Sequence, residues 1–156
     1  MKVEERLLKY VSFWTTSDED NSNIPSSNRQ FELGRVLEAE LKELGLEKVI
    51  LTDHCYVYGL LPATAGMESV TPIGFIAHID TAPDFCGENV KPQIIPDYNG
   101  EDVVLKGNNS ILKVSDFPTL KSLKGRTLIT LMMHMDKAGM MHFVILKTFL
   151  LLMLHR

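Results

Sequence analysis

"TPIGFIAHIDTAP", residues 71–83, decides how the rest of the chain is read. Residues 71–79 form a continuous apolar run. Such a run is typical of a strand covered on both faces, as in an α/β sheet. Gly74 and Ala77 would leave room for helices to pack close. Strand side chains alternate, so His78 and Asp80 share one face and Ile79 takes the other. A metal-bound imidazole usually donates its free ring N–H to a carboxylate, which fixes the tautomer and raises ligand basicity. The His78-x-Asp80 unit can supply both groups from one strand end, where ligand sites of α/β sheets lie. The same spacing also fits a histidine bonded to a loop backbone, with Asp80 capping the turn through Thr81 and Ala82.

Around this stretch the pattern alternates helices and strands. Leu7, Leu8, Val11 and Trp14 fall at helical spacing, which predicts a short helix over residues 3–14. "TTSDEDNSNIPSSN" breaks it with turn residues. A second helix is expected from Ser27, whose hydroxyl can cap it with Gln30 as capping-box partner. Leu33, Leu37, Leu41 and Leu44 form its apolar stripe, Glu38 and Lys42 an i,i+4 pair, and Gly45 its stop. "KVILTD" and "YVYGLLP" read as adjacent strands joined around His54 and Cys55. Small β-like pieces follow at "QII" and "DVVL". "FPTLKSLKGR" reads as a short helix ended by Gly125, and "TLIT" as one more strand.

The 156 residues suffice for one domain with a core, and 45% apolar with 23% charged residues is ordinary for a globular protein. A net charge of −4 argues against a nucleic-acid partner, since phosphate contacts need a basic face. Cys55 and Cys86 are the only cysteines. Two thiols make no disulfide framework, so a reducing cytoplasm is the default. The N-terminus lacks the apolar core of a signal peptide. Six of the eight methionines follow Thr130, and after Asp116 the only acidic residue is Asp136. The closing "MMHFVILKTFLLLMLHR" is shorter than the roughly 20 apolar residues of a membrane span and is interrupted by Lys147, so no membrane span is expected. Its composition suggests a separate origin, as from a shifted frame or a truncated gene.

"IGFIAHIDTAPDFCGENVKPQII" closely resembles the corresponding segment of the peptidase T family, the tripeptide aminopeptidases among the M20 zinc metallopeptidases. The resemblance runs back through "LPA", "LEAELKELGL" and "YVSFWTTS". It runs forward through "NGEDVVL" and "FPTLKSLKGRTLIT". It covers about residues 1–130, leaving 131–156 as a divergent apolar tail. It implies the N-terminal part of an α/β catalytic domain, a mixed sheet flanked by helices. It further implies a cytoplasmic enzyme that uses two zinc ions to release the N-terminal residue of tripeptides. His78 matches the first zinc ligand and Asp80 the catalytic aspartate that orients it. The family dimerises through an inserted domain that has no counterpart here.

After "TLIT" the resemblance falters. The family's "GADDKAG" appears here as "HMDKAG", which places Met135 at the bridging-carboxylate position. A thioether cannot replace a carboxylate between two such cations. Asp136 matches the motif's second aspartate and could take over only by a one-residue slip, which turns a strand side chain to the opposite face. His134 is another possible substitute. The alternative expectation is therefore a catalytically inactive, truncated remnant, because a catalytic zinc needs about three protein ligands. His54 and Cys55 read as exposed turn residues, Cys86 as a loop thiol and Asp84 as a turn former. The tail methionines read as a soft apolar sequence without periodicity, with a Met-rich copper site as the alternative.

Overall fold

The computed structural model describes residues 1–134. The elements in chain order are α1 (Val3–Tyr10), α2 (Gln30–Glu43), β1 (Glu47–Leu51), β2 (Val57–Leu60), β3 (Cys86–Ile95), β4 (Val103–Val104), β5 (Ile111–Leu112), a 3-10 helix over Pro118–Leu123, and β6 (Leu128–His134). Helices and strands are thus mixed, as expected for an α/β chain. Among the described residues the strands pair in three two-stranded sheets, β1–β2, β3–β6 and β4–β5, rather than in one sheet sandwiched by helices. The chain forms two compact units. One is Phe13–Gly87, the other Met1–Ser12 with the described residues from Glu88 onward.

In the unit Phe13–Gly87, α2 lies against the β1–β2 hairpin. Leu33 of its apolar stripe is buried, and Leu37, Leu41 and Leu44 are half-buried. The Lys42 ammonium sits 2.7 Å from the Glu38 carboxylate on the outer side, as the i,i+4 spacing predicts. The helix ends as Gly45 predicts. Gly45 has φ +81°, its N–H donates to the Lys42 carbonyl at 3.0 Å, and the Leu46 N–H reaches back to the Leu41 carbonyl at 3.1 Å. Those two bonds satisfy carbonyls that the last helical turn leaves open.

The start of α2 differs from expectation. The helix begins at Gln30, and no side chain caps it. Ser27 acts through its main chain instead: its carbonyl accepts the Gln30 N–H at 3.1 Å, and the Asn28 carbonyl accepts that of Phe31 at 3.2 Å. One tight turn therefore precedes the helix and occupies the donors that a Ser27 hydroxyl would have taken.

β1 and β2 are antiparallel, with Ile50 opposite Tyr58 and Leu51 opposite Val57. The register breaks between Glu47 and Ile50, where Lys48 has φ +51°. Cys55, expected to be an exposed turn residue, is instead 5% exposed. The reason lies in α2. Gly34 offers no side chain, and a Cβ there would stand 3.1 Å from both the Cys55 Sγ and a Leu51 methyl. The glycine leaves a slot, and the thiol fills it.

Residues 71–79 are the main correction. They form no strand, and Ile73, Phe75 and Ile76 are 81%, 53% and 93% exposed. Gly74 has open space around it instead of a close-packed helix. A strand exists only through a partner's N–H and C=O groups, and among the described residues none pairs with this run. Apolar composition sets a preference for burial but supplies no partner.

In the other unit the predicted helix over 3–14 stops at Tyr10. The Ser12 hydroxyl donates to the Lys9 carbonyl at 2.6 Å, and its N–H tightens onto the same carbonyl at 3.2 Å. That local bonding competes with a further helical turn. The core of this unit gathers Tyr98, Val103, Leu105, Leu112, Val114, Leu120 and Leu128. β4 and β5 pair antiparallel, Val103 opposite Leu112, and the Asp102 carboxylate accepts the Val114 N–H at 2.7 Å. "FPTLKSLKGR" closes as a 3-10 helix and Gly125 takes φ +75°. There the Gly125 N–H donates to the Tyr98 carbonyl at 2.7 Å, and the Arg126 carbonyl accepts the Tyr98 N–H at 2.9 Å.

Candidate functional site

His78 and Asp80 meet within the unit Phe13–Gly87. The His78 Nδ1 lies 2.8 Å from the Asp80 main-chain carbonyl and 3.1 Å from its carboxylate Oδ1. A main-chain carbonyl can only accept, so Nδ1 carries a proton, and in the neutral ring it is Nε2 that keeps the lone pair. The His78 side chain is 84% exposed and that of Asp80 41%, which leaves Nε2 open to an incoming group. The pair is side by side as the spacing predicts, but in an extended loop and not at a strand end. The arrangement joins both readings of the motif, because the imidazole bonds to a loop carbonyl and to the carboxylate together.

The residue after Asp80 is pinned. Thr81 forms a parallel bridge with Thr16. Its N–H donates to the Thr15 carbonyl at 3.3 Å, and its own carbonyl accepts both the N–H and the hydroxyl of Ser17 at 3.0 Å each. The Thr16 Oγ1 accepts the Gly87 N–H at 2.9 Å and lies 3.2 Å from the Thr81 Oγ1. Having spent a lone pair on Gly87, the Thr16 hydroxyl is free to donate its proton to Thr81. Thr15 and Thr16 are buried. Just before them the Arg29 guanidinium stacks 3.7 Å from the centre of the Trp14 ring. These anchors were not evident from sequence, where "TTS" reads as a helix-breaking polar stretch. The available signal was two threonines and a serine directly after an apolar "FW" pair.

The other candidates stand apart. His54 bonds to the Asp53 carboxylate at 2.8 Å and stacks on Tyr56. Burial pushes the Cys55 thiol above its ordinary pKa, and nearby Arg35 only partly offsets this. Cys86 is half-buried at the start of β3, and Asp84 is exposed. Met135 and Asp136 lie outside the described residues, as does the side chain of His134. Among the described residues no three His, Cys, Asp or Glu side chains gather where they could hold a metal ion. No helix among them is long and apolar enough to cross a membrane.

Fold and site together define a mixed α/β chain that presents an imidazole steadied by a neighbouring carboxylate. No family model matches the chain. It is 48% identical over 149 residues to peptidase T of Caldanaerobacter subterraneus subsp. tengcongensis and 46% identical over 149 residues to peptidase T of Clostridium acetobutylicum, in each case over 92% of this chain and 36% of the relative. Peptidase T of Shewanella halifaxensis is 47% identical over 145 residues, 90% of this chain and 35% of its own. Over the shared part the chain is a homologue of peptidase T. It spans about a third of the length of these curated relatives.

Proposed function

We propose that the chain carries the histidine–aspartate element of a peptidase T-like zinc aminopeptidase of the M20 kind, acting on tripeptides in the cytoplasm. In this reading residues 1–130 correspond to part of the catalytic domain and 131–156 are divergent. His78 offers Nε2 to zinc, and Asp80 holds the opposite ring N–H. The observation that carries the reading is the Nδ1 bonding of His78 to Asp80 in an exposed side chain, which turns Nε2 of the neutral ring to the ligating role. Homology to peptidases T supports it.

The described residues do not by themselves fit a catalytic zinc. Such a site uses about three protein ligands plus water, and no three candidate ligands gather among the described residues. The remaining donors come from outside the described residues, or the polypeptide is an inactive remnant of the enzyme.

A calorimetric zinc titration with tripeptide hydrolysis in the same sample decides between these. The enzyme reading expects zinc binding that is lost in His78→Ala and weakened about 10- to 100-fold in Asp80→Asn, the usual cost of removing a ligand's supporting carboxylate. A folded sample that binds no zinc and is indifferent to His78→Ala overturns it and leaves the remnant.

A further inference from the structure

We infer that Thr16 and Ser17 are positioning residues that set the tautomer and aim of His78 through a single peptide plane, an inference that rests on reading His78–Asp80 as the functional pair. The peptide between Asp80 and Thr81 is planar, so its C=O and N–H point in opposite directions. The N–H donates to the Thr15 carbonyl, and the C=O accepts the His78 Nδ1–H at 2.8 Å. Anchoring one side of this plane therefore aims the other at the imidazole.

Three further bonds hold Thr81, the residue that carries this N–H, through its own carbonyl and side chain. Ser17 holds the Thr81 carbonyl from two donors, and the Thr16 hydroxyl lies within bonding distance of the Thr81 hydroxyl. Thr16 also takes the Gly87 N–H, so one buried oxygen fixes both ends of the loop 81–87. An imidazole 84% exposed has little packing of its own to hold it. Its orientation is set by the acceptors that face Nδ1, and those depend on the Thr15–Ser17 segment.

The test is the ring tautomer of His78 in the full chain without metal, read from two-bond ¹H–¹⁵N correlations at mildly alkaline pH. The unsubstituted chain is expected to show the Nδ1–H form. Thr16→Val, which keeps shape but removes the hydroxyl, is expected to lose that signature, and Thr16→Ser to retain it. A folded Thr16→Val with an unchanged ring pattern overturns the inference. If Thr16→Val fails to fold, Ser17→Ala carries the test, since it removes one of two donors to the Thr81 carbonyl. Partial loss of the signature supports the inference, and an unchanged pattern overturns it. A Thr16-dependent tautomer in a chain that neither binds zinc nor cleaves tripeptides leaves the anchor standing and removes only the peptidase reading.

Discussion

Gly34 of α2 faces Cys55 of the hairpin turn so closely that a Cβ on the glycine would stand 3.1 Å from the thiol sulfur. The helix therefore accepts a residue of poor helical propensity to seat a buried thiol. Gly34→Leu is expected to destabilise the chain by about 1–3 kcal/mol through overpacking, read as a lower urea midpoint at constant slope. Cys55→Ala in the same background should recover part of the loss, because it empties the slot. Independent, additive effects would show that the two residues do not share the contact.

Burial also governs the chemistry of Cys55. Its thiol pKa is raised above the ordinary 9.0, so little thiolate forms near neutral pH. In the folded chain a thiol reagent should label Cys86 before Cys55, with Cys55 reacting only as urea unfolds the protein. Equal labelling of both in the native state would contradict the buried position.

Tyr98 gives the chain an alkaline limit. The residue is 2% exposed, its hydroxyl donates to the Glu101 carbonyl, and burial, followed by the charges of Asp102 and Glu101, raises its pKa above 10.0. The unfolded tyrosine then loses its proton first as pH rises. Above about pH 10 the unfolded state binds fewer protons than the folded one, so unfolding free energy falls with pH. Tyr98's contribution is fully present below that value and is lost as pH rises through its folded pKa. Tyr98→Phe should flatten the decline at a cost of about 0.5–1.5 kcal/mol for the missing hydrogen bond. Urea midpoints measured across the alkaline range check both effects.

What was legible in the sequence was what depends on near neighbours. The end of α2 rests on Gly45 and the three residues before it, and the His78–Asp80 bond spans two residues. The β1–β2 hairpin follows from two β-rich runs and a short turn. Burial of Cys55 was not legible, because it depends on a glycine one helix away. The Thr16 contacts to Thr81 and Gly87 join residues 65 and 71 positions apart, which no local period reveals. The strand over 71–79 failed for a related reason. Its apolar run reports what a strand buries, whereas pairing depends on residues far along the chain.

Ile76 turns that difference into a measurement. As the centre of a covered strand it would lose about 2–5 kcal/mol on truncation, the usual cost of emptying a packed apolar site. At 93% exposure it has almost no packing to lose. Ile76→Ser is therefore expected to leave the urea midpoint nearly unchanged, within about 0.5 kcal/mol, as for most surface substitutions. Because Ile73, Phe75 and Ile76 expose apolar surface in one short segment, the same change should lower light scattering of concentrated samples. A loss of several kcal/mol would instead show that the run is buried in solution and restore the covered strand.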